Sequence, residues 1–145
     1  MVAVLDLDDV VATIGGFVGL SPDLLELAFH VYGQVIGAWL GNGFDVVAHA
    51  PAFNQREIEA VLQAIPTGTR IRTALLLTTY EVAVGRVSAD TTRTLSKDVE
   101  VLRRAYDRFN ALLPSMDEPD WTFDTDVAPV SEIVDRLVLE LNAAP

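Results

Sequence analysis

The sequence has no cysteine and a single lysine, Lys97, among its 145 residues. Without cysteine, neither a disulfide framework nor a thiolate zinc site can form. No apolar run reaches the roughly 18 residues that a membrane-spanning helix needs, so no membrane partner is expected. Ten basic residues against 21 acids give a net charge of −11, which argues against a nucleic-acid partner. We therefore expect a cytoplasmic protein.

Half of the residues are hydrophobic and the mean hydropathy is +0.31, a composition typical of a folded protein. The length suits a single domain over residues 1–145. Apolar runs alternate with helical patterns, which predicts an α/β fold of three layers around a mostly parallel sheet of about four strands. Strands are expected at 2–5, 44–50, 72–78 and 120–124, and helices at 21–40, 56–64, 80–89, 97–113 and 131–142.

The helix expected to end near Leu40 is apolar nearly all round, so we expect it to be largely buried. His30 lies inside this helix and is expected to be a core residue. His49 lies instead at the end of a predicted strand, where it is a candidate site residue.

Ligands of open parallel sheets bind beyond the carboxyl ends of the strands. Carboxylates in such a crevice suit a general base or a magnesium site. The alternative is that acids end strands because they cap helices and turns. Four groups of polar residues fall at these ends: Asp6, Asp8 and Asp9; His49 with Arg56 just downstream; Thr78 and Thr79; and Asp124 and Asp126.

Residues 86–108 are net basic, with six basic side chains against four acids, in a chain that is otherwise strongly acidic. Arg86 and Arg93 are seven residues apart in a polar segment, and a helix is expected to follow. This pattern predicts a lid over residues 86–97 that brings guanidinium groups to phosphate. A solvated, salt-bridged helix pair is the alternative.

Residues 72–141 resemble the second half of the P-loop small-molecule kinases, such as shikimate kinase, gluconate kinase and chloramphenicol phosphotransferase. The matching features are a strand and helix that lead to the arginine-bearing segment RVSADTTR (86–93), a long helix with Tyr106 and Phe109, and a strand that ends in Asp124-Thr125. The resemblance implies that Arg86 and Arg93 contact nucleotide phosphates. It also implies that the loop after Asp124-Thr125 flanks the adenine.

The first half of the chain matches the same family more loosely. The strand that begins at Val2 corresponds to the family's second strand, which ends in an acid that orients or deprotonates the acceptor hydroxyl. Asp8 is the matching position, with Asp6 and Asp9 beside it. The segment GFDVV (43–47) matches the family's next strand, and Arg56 matches the arginine that follows. ATP and Mg²⁺ are the co-substrate and cofactor that the resemblance implies.

The chain departs from this family in one respect: it contains no Gly-x-x-x-x-Gly-Lys-[Ser/Thr] phosphate loop. Aligned to the family, the first strand, the phosphate loop and its helix are missing, as in a truncated kinase. That strand is central in the family, so its loss leaves two sheet edges facing an empty slot. We therefore expect a homodimer, or another polypeptide that fills the slot.

Three functions are compatible with these residues. The first is an ATP-dependent phosphotransferase that acts on a small-molecule hydroxyl once the phosphate loop is supplied. The second is a non-catalytic kinase-like domain kept for binding or assembly. The third is a phosphatase similar to the haloacid dehalogenases, with Asp6 as nucleophile and Asp8 as acid. Thr78, Lys97 and Asp124 follow in the order which that family uses, although Asp9 stands where it usually has glycine.

Overall fold

The computed structural model describes residues 1–15, 21–51, 54–91 and 98–143. These residues form four strands and six helices, and a short 3₁₀ turn, Leu113–Ser115, follows the fifth helix. In chain order the elements are β1 (Val2–Asp6), α1 (Leu7–Ala12), α2 (Pro22–Gly41), β2 (Asp45–His49), α3 (Gln55–Leu62), β3 (Ala74–Leu77), α4 (Tyr80–Ala89), α5 (Val99–Leu112), β4 (Trp121–Asp124) and α6 (Val130–Ala143).

The predicted mixture of helices and parallel strands is confirmed, but the strands do not form one sheet of four. The described residues form two parallel sheets of two strands, in which β1 pairs with β2 and β3 pairs with β4. Each pair joins strands that are consecutive in the chain and connected through helices. Pairing therefore stays local to each βαβ segment.

The residues divide into two compact units. The first comprises Met1–Arg70 and Arg104–Met116, and the second comprises Ile71–Arg103 and Asp117–Pro145. That residues 1–145 form a single domain stays a prediction. No helix in the described ranges is both long and apolar enough to cross a membrane.

Helix α2 organises the first unit. Ser21 caps it by accepting from the amide of Leu24, and Pro22 occupies its first turn. The helix contacts α1, β2 and α3, and one face supplies most of a core whose buried members are Leu7, Val11, Ala28, Phe29, Tyr32, Ile36 and Ala60.

The contact between α2 and α3 depends on two glycines of α2. A Cβ atom on Gly33 would lie 2.6 Å from the carbonyl oxygen of Val61, and one on Gly37 would lie 2.5 Å from that of Ala64. Only a residue without a side chain permits this approach, so the spacing of Gly33 and Gly37 allows the two backbones to touch.

The expectation that α2 is largely buried is wrong. Its second apolar stripe, Leu24, Leu27 and Val31, is 42–54% exposed, because α1, β2 and α3 cover only one side of the helix. His30 is likewise exposed rather than a core residue.

The second unit has little apolar core. Phe123 and Ile133 are the buried residues in its described part. At the amino edge of its sheet, Asp120 accepts from the amide of Thr73 at 2.7 Å and forms an ion pair with Arg72. These bonds hold the pKa of Asp120 below its ordinary value, the amide of Thr73 contributing most.

Candidate functional site

The carboxyl edge of the β1–β2 sheet brings two of the predicted site residues together. Asp6 and His49 are register partners at the ends of their strands, and Nδ1 of His49 lies 3.3 Å from Oδ2 of Asp6. Side chains of paired residues in a parallel sheet project to the same face. The pairing register therefore produces this contact between a carboxylate and an imidazole.

The other carboxylate oxygen of Asp6 caps the amino end of helix α1. Asp6 is the N-cap of α1, and its Oδ1 accepts from the amide of Asp8 at 3.0 Å. Asp8 and Asp9 follow in the first turn of α1, where carboxylates interact favourably with the helix dipole. The sequence left open whether the acids at the strand ends serve to cap helices. Asp6 does cap a helix. Each of its two oxygens therefore has one partner, the amide of Asp8 at Oδ1 and His49 at Oδ2.

Tyr32 lies directly beneath this edge, in a role that was not predicted from the sequence. Its side chain is buried, and its hydroxyl lies 2.9 Å from the carbonyl oxygens of both Leu5 and His49. Burial raises the pKa of Tyr32 to about 12, and the carboxylates of Asp6 and Asp9 add to the shift. The phenol therefore remains protonated and bridges the two strand ends. A tyrosine on the apolar face of a predicted helix was the sequence feature that could have pointed to this role, because a buried hydroxyl needs a hydrogen-bond partner.

The carboxyl edge of the β3–β4 sheet brings together Arg86, Asp124 and Thr125, three of the four predicted nucleotide residues. Thr125 donates to the carbonyl of Leu77 through both its amide, at 2.8 Å, and its hydroxyl, at 2.9 Å. Arg86, on α4, donates from one terminal nitrogen to Oγ1 of Thr125 at 2.7 Å and from the other to its carbonyl at 2.6 Å. Two contacts to one residue fix the plane of the guanidinium group.

Asp126 secures the same edge from the loop after β4. Its carboxylate accepts from the hydroxyl of Thr78 and, at 2.8 Å, from the amide of Thr79, the N-cap residue of α4. Its own amide donates to Oδ1 of Asp124 at 2.9 Å. The hydrogen bond from Thr78 is the main reason that the pKa of Asp126 lies below its ordinary value, and Arg86 also lowers it.

A cavity of about 180 Å³ opens between β4 and α6 in this unit. Its floor includes the buried ring of Phe123, whose centroid lies 5.5 Å from the guanidinium carbon of Arg136. The remaining lining residues are Thr122, Asp124, Val127, Ala128, Glu132 and Ile133. The cavity shares Asp124 with the strand end described above.

Some predicted site residues are not brought into these clusters. Arg56 is exposed on α3, and no hydrogen bond or ion pair joins it to Asp6 or His49 among the described residues. Asp9 is exposed on α1. Arg93 and Lys97 lie outside the described residues, so the lid over 86–97 is described only as far as residue 91. The part of the chain that is described contains no cluster of three or more histidine and acidic side chains that could hold a metal ion.

The comparisons with protein families and with curated proteins were negative. No protein-family model matches this chain, and no curated protein matches it.

Proposed function

We propose that this chain is a kinase of the P-loop type, which transfers the γ-phosphate of ATP to the hydroxyl of a small molecule once a phosphate-binding loop is supplied. The observation that carries the proposal is the strand pairing. A P-loop kinase without its central first strand would retain two parallel strand pairs, and the described residues form two such pairs.

The chemistry at the two carboxyl edges supports the same function. One edge carries Asp6, Asp8 and His49, which suit the handling of a hydroxyl group. The other edge carries Arg86 bound to Thr125, with Asp124 beside it, which suits a nucleotide. An acceptor and a phosphoryl donor need such different surroundings, because one loses a proton while the other develops negative charge.

The cavity beside Phe123 supports a nucleotide-binding role for the second unit. About 180 Å³ is too small for a whole nucleotide, since pockets for drug-sized ligands span roughly 300–1,000 Å³. It suits a single planar base against Phe123. In this proposal, the cavity flanks the adenine and Arg86 reaches the phosphates. Magnesium arrives bound to the nucleotide, so no metal site in the chain itself is required.

Transfer in this proposal is an in-line displacement. The acceptor oxygen attacks the γ-phosphorus while the bond to the β,γ-bridging oxygen breaks and ADP leaves. Asp8 orients the acceptor hydroxyl. Arg86 and Arg93 neutralise the charge that develops on the transferred group.

Calorimetric titration with Mg-ATP up to millimolar concentration tests the proposal. We expect a binding heat in the native protein, and an affinity about 10- to 100-fold weaker in Arg86→Gln, because a hydrogen bond to a charged group is lost. Arg72→Gln is the matched control, since Arg72 lies at the amino edge of the same sheet. Absence of heat at millimolar nucleotide, or equal affinities in the two variants, would refute nucleotide binding at this edge.

A non-catalytic assembly domain is the second candidate, and an exposed sheet face favours it. Val2, Val4 and Val47 are 57–78% exposed on one face of the β1–β2 sheet, whereas a three-layer fold covers both faces. A homodimer or another polypeptide would cover them. A dimer by light scattering, together with no Mg-ATP heat, would support this candidate. A monomer would count against self-association.

The phosphatase alternative stays a prediction with Asp6 as nucleophile; in the structure Asp6 accepts from the amide of Asp8 and contacts His49. A generic phosphatase assay that compares the native protein with Asp6→Asn provides the check. Activity in the native protein that Asp6→Asn abolishes would support this alternative.

A further inference from the structure

We propose that His49 is the proton acceptor of this site and that Asp6 is its positioning residue. In this assignment Nδ1–H of His49 donates to Asp6, and Nε2 is presented to the hydroxyl group of the acceptor. The inference deepens the proposed function and rests on it for the identity of the reaction. The arrangement of the two side chains does not depend on that function.

The backbone at both residues is fixed before any ligand arrives. The register of the parallel sheet places Asp6 opposite His49. The hydroxyl of Tyr32 lies 2.9 Å from the carbonyl of His49 and equally far from that of Leu5, the residue before Asp6. Because Tyr32 is 1% exposed, this bridge is protected from competition by water.

The carboxylate of Asp6 is oriented from its other side. The amide of Asp8 donates to Oδ1 at 3.0 Å, which leaves Oδ2 directed at Nδ1 of His49, 3.3 Å away. An ionised carboxylate can only accept hydrogen bonds. The ring must therefore carry its proton on Nδ1, so the lone pair of neutral His49 lies on Nε2.

Nε2 is also accessible. The side chain of His49 is 66% exposed, and that of Asp6 is 45% exposed. A general base is most effective when its ordinary pKa is close to the working pH, and imidazole meets this condition better than a carboxylate. Asp8 then keeps the role that the proposed function gives it, which is to orient the acceptor.

Nε2 of His49 takes the proton from the acceptor hydroxyl as its oxygen bonds to the γ-phosphorus of ATP. The bond from that phosphorus to the β,γ-bridging oxygen breaks, and ADP leaves with the electron pair. His49 then returns the proton to solvent. Asp6 keeps its charge throughout and stabilises the imidazolium that forms.

The tautomer of His49 is measurable without any nucleotide. Long-range ¹H–¹⁵N correlation spectra of the labelled protein contain signals from only two histidines, so exposed His30 is an internal reference. We expect neutral His49 to show the Nδ1–H pattern and His30 to show the Nε2–H pattern that free imidazole side chains prefer. An Nε2–H pattern at His49 would overturn the proposal.

Asp6→Asn sharpens this measurement, because asparagine is an equally good N-cap and α1 should form. Its one carbonyl oxygen is needed by the amide of Asp8, so its NH₂ group would face Nδ1 of His49. We expect the tautomer to invert to Nε2–H in Asp6→Asn and to stay unchanged in Asp9→Asn, a neighbouring acid that does not contact the ring. An unchanged tautomer in Asp6→Asn would refute the positioning role.

When the native protein, supplied with a phosphate-binding loop, releases phosphate from Mg-ATP with water as the acceptor, that rate tests the proton transfer itself. His49→Gln should lower the rate by about 100-fold while the Mg-ATP binding heat is retained. His30→Gln should match the native protein. An equal rate in His49→Gln would refute the role of His49. Absence of Mg-ATP heat would refute the proposed function instead, and the tautomer alone would then decide whether Asp6 and His49 form this pair.

Discussion

The two parallel sheets join their strands in opposite ways. The end of the β1–β2 sheet is bridged from below by the buried hydroxyl of Tyr32. The β3–β4 sheet is fastened at both edges by exposed carboxylates, Asp120 at the amino edge and Asp126 at the carboxyl edge, each bound to threonines at the ends of β3. The first sheet therefore depends on burial and the second on charge.

The difference extends to the cores. Seven buried residues form the cluster beneath the first sheet, whereas the described part of the second unit buries only Phe123 and Ile133. A buried bridge keeps its strength when the solvent changes, but an exposed hydrogen bond to a carboxylate requires that group to be ionised. We therefore expect packing changes to affect the first unit most, and acid to affect the second unit most.

The largest expected effect is on the free energy of unfolding, and it contrasts alanine substitutions at two glycines. Gly33→Ala forces a Cβ to within 2.6 Å of the Val61 carbonyl and should lower the free energy of unfolding by roughly 3 kcal/mol. Gly85, on α4 in the second unit, has no atom within 4 Å of the corresponding position. Gly85→Ala should therefore raise this free energy by about 0.5–1 kcal/mol. Urea unfolding measures both, and effects of the same sign would show that the close approach of α2 and α3 does not limit stability.

Tyr32→Phe comes next, because it removes the bridge and changes little else. Loss of the donor to two carbonyls should cost about 1–3 kcal/mol at neutral pH. The pKa of Tyr32 is raised from 10.0 to about 12, so its stabilisation is fully present below pH 10 and is lost as the pH rises towards 12. The native protein should lose about 2–3 kcal/mol over that range.

Two measurements check this alkaline loss. Urea unfolding is measured between about pH 8 and pH 11. The free energy of unfolding should decline less with rising pH in Tyr32→Phe than in the native protein. Phenolate absorbance should show three tyrosines in the native protein, one of them titrating late, and the variant should lack the late component. Parallel declines with pH in the two proteins would mean that the phenol is not protected in the native state.

The sequence was sufficient to predict the four strands and five of the six helices in the described residues, because these follow from local patterns; helix α1 was missed. The apolar run Val2–Leu5, the Ser21-Pro22 helix start and the Asp124-Thr125 strand end all have counterparts in the structure. The sheet organisation could not be predicted in the same way. Whether the two strand pairs join into one sheet depends on which strand edges meet in space. A local sequence pattern contains no information on that.

The candidate site shows the same division. Asp6 and His49 were expected at strand ends, but their contact depends on the register of a parallel sheet, which relates residues 43 positions apart. Tyr32 was missed, and Asp126 was expected only as an acid at a strand end, for a similar reason. Each acts through a partner distant in sequence, Tyr32 on the carbonyl of His49 and Asp126 on Thr78.

The smallest expected effect tests the dependence of the second sheet on charge. The folded-state pKa values of Asp120 and Asp126 both lie below the ordinary value of 3.8. Their contribution is therefore present above that pH and is lost as the pH falls through the lowered values. Asp120→Asn and Asp126→Asn should each lower stability at neutral pH and make it less dependent on pH in acid. Both groups are exposed, so each effect should be smaller than that of Tyr32→Phe.

The two variants should differ from each other at Arg86. Asp126→Asn removes a negative charge close to Arg86 at the carboxyl edge, so it should strengthen Mg-ATP binding by removing a carboxylate that repels the phosphates, whereas Asp120→Asn, at the amino edge, should leave that binding unchanged. Acid titration of unfolding by circular dichroism, followed by calorimetry at neutral pH, separates the two roles. If both variants bind Mg-ATP equally well, the contacts of Asp126 at the carboxyl edge contribute only to stability. If neither alters the acid transition, charge is not what holds the second sheet together, and the contrast between the two units must lie in their cores alone.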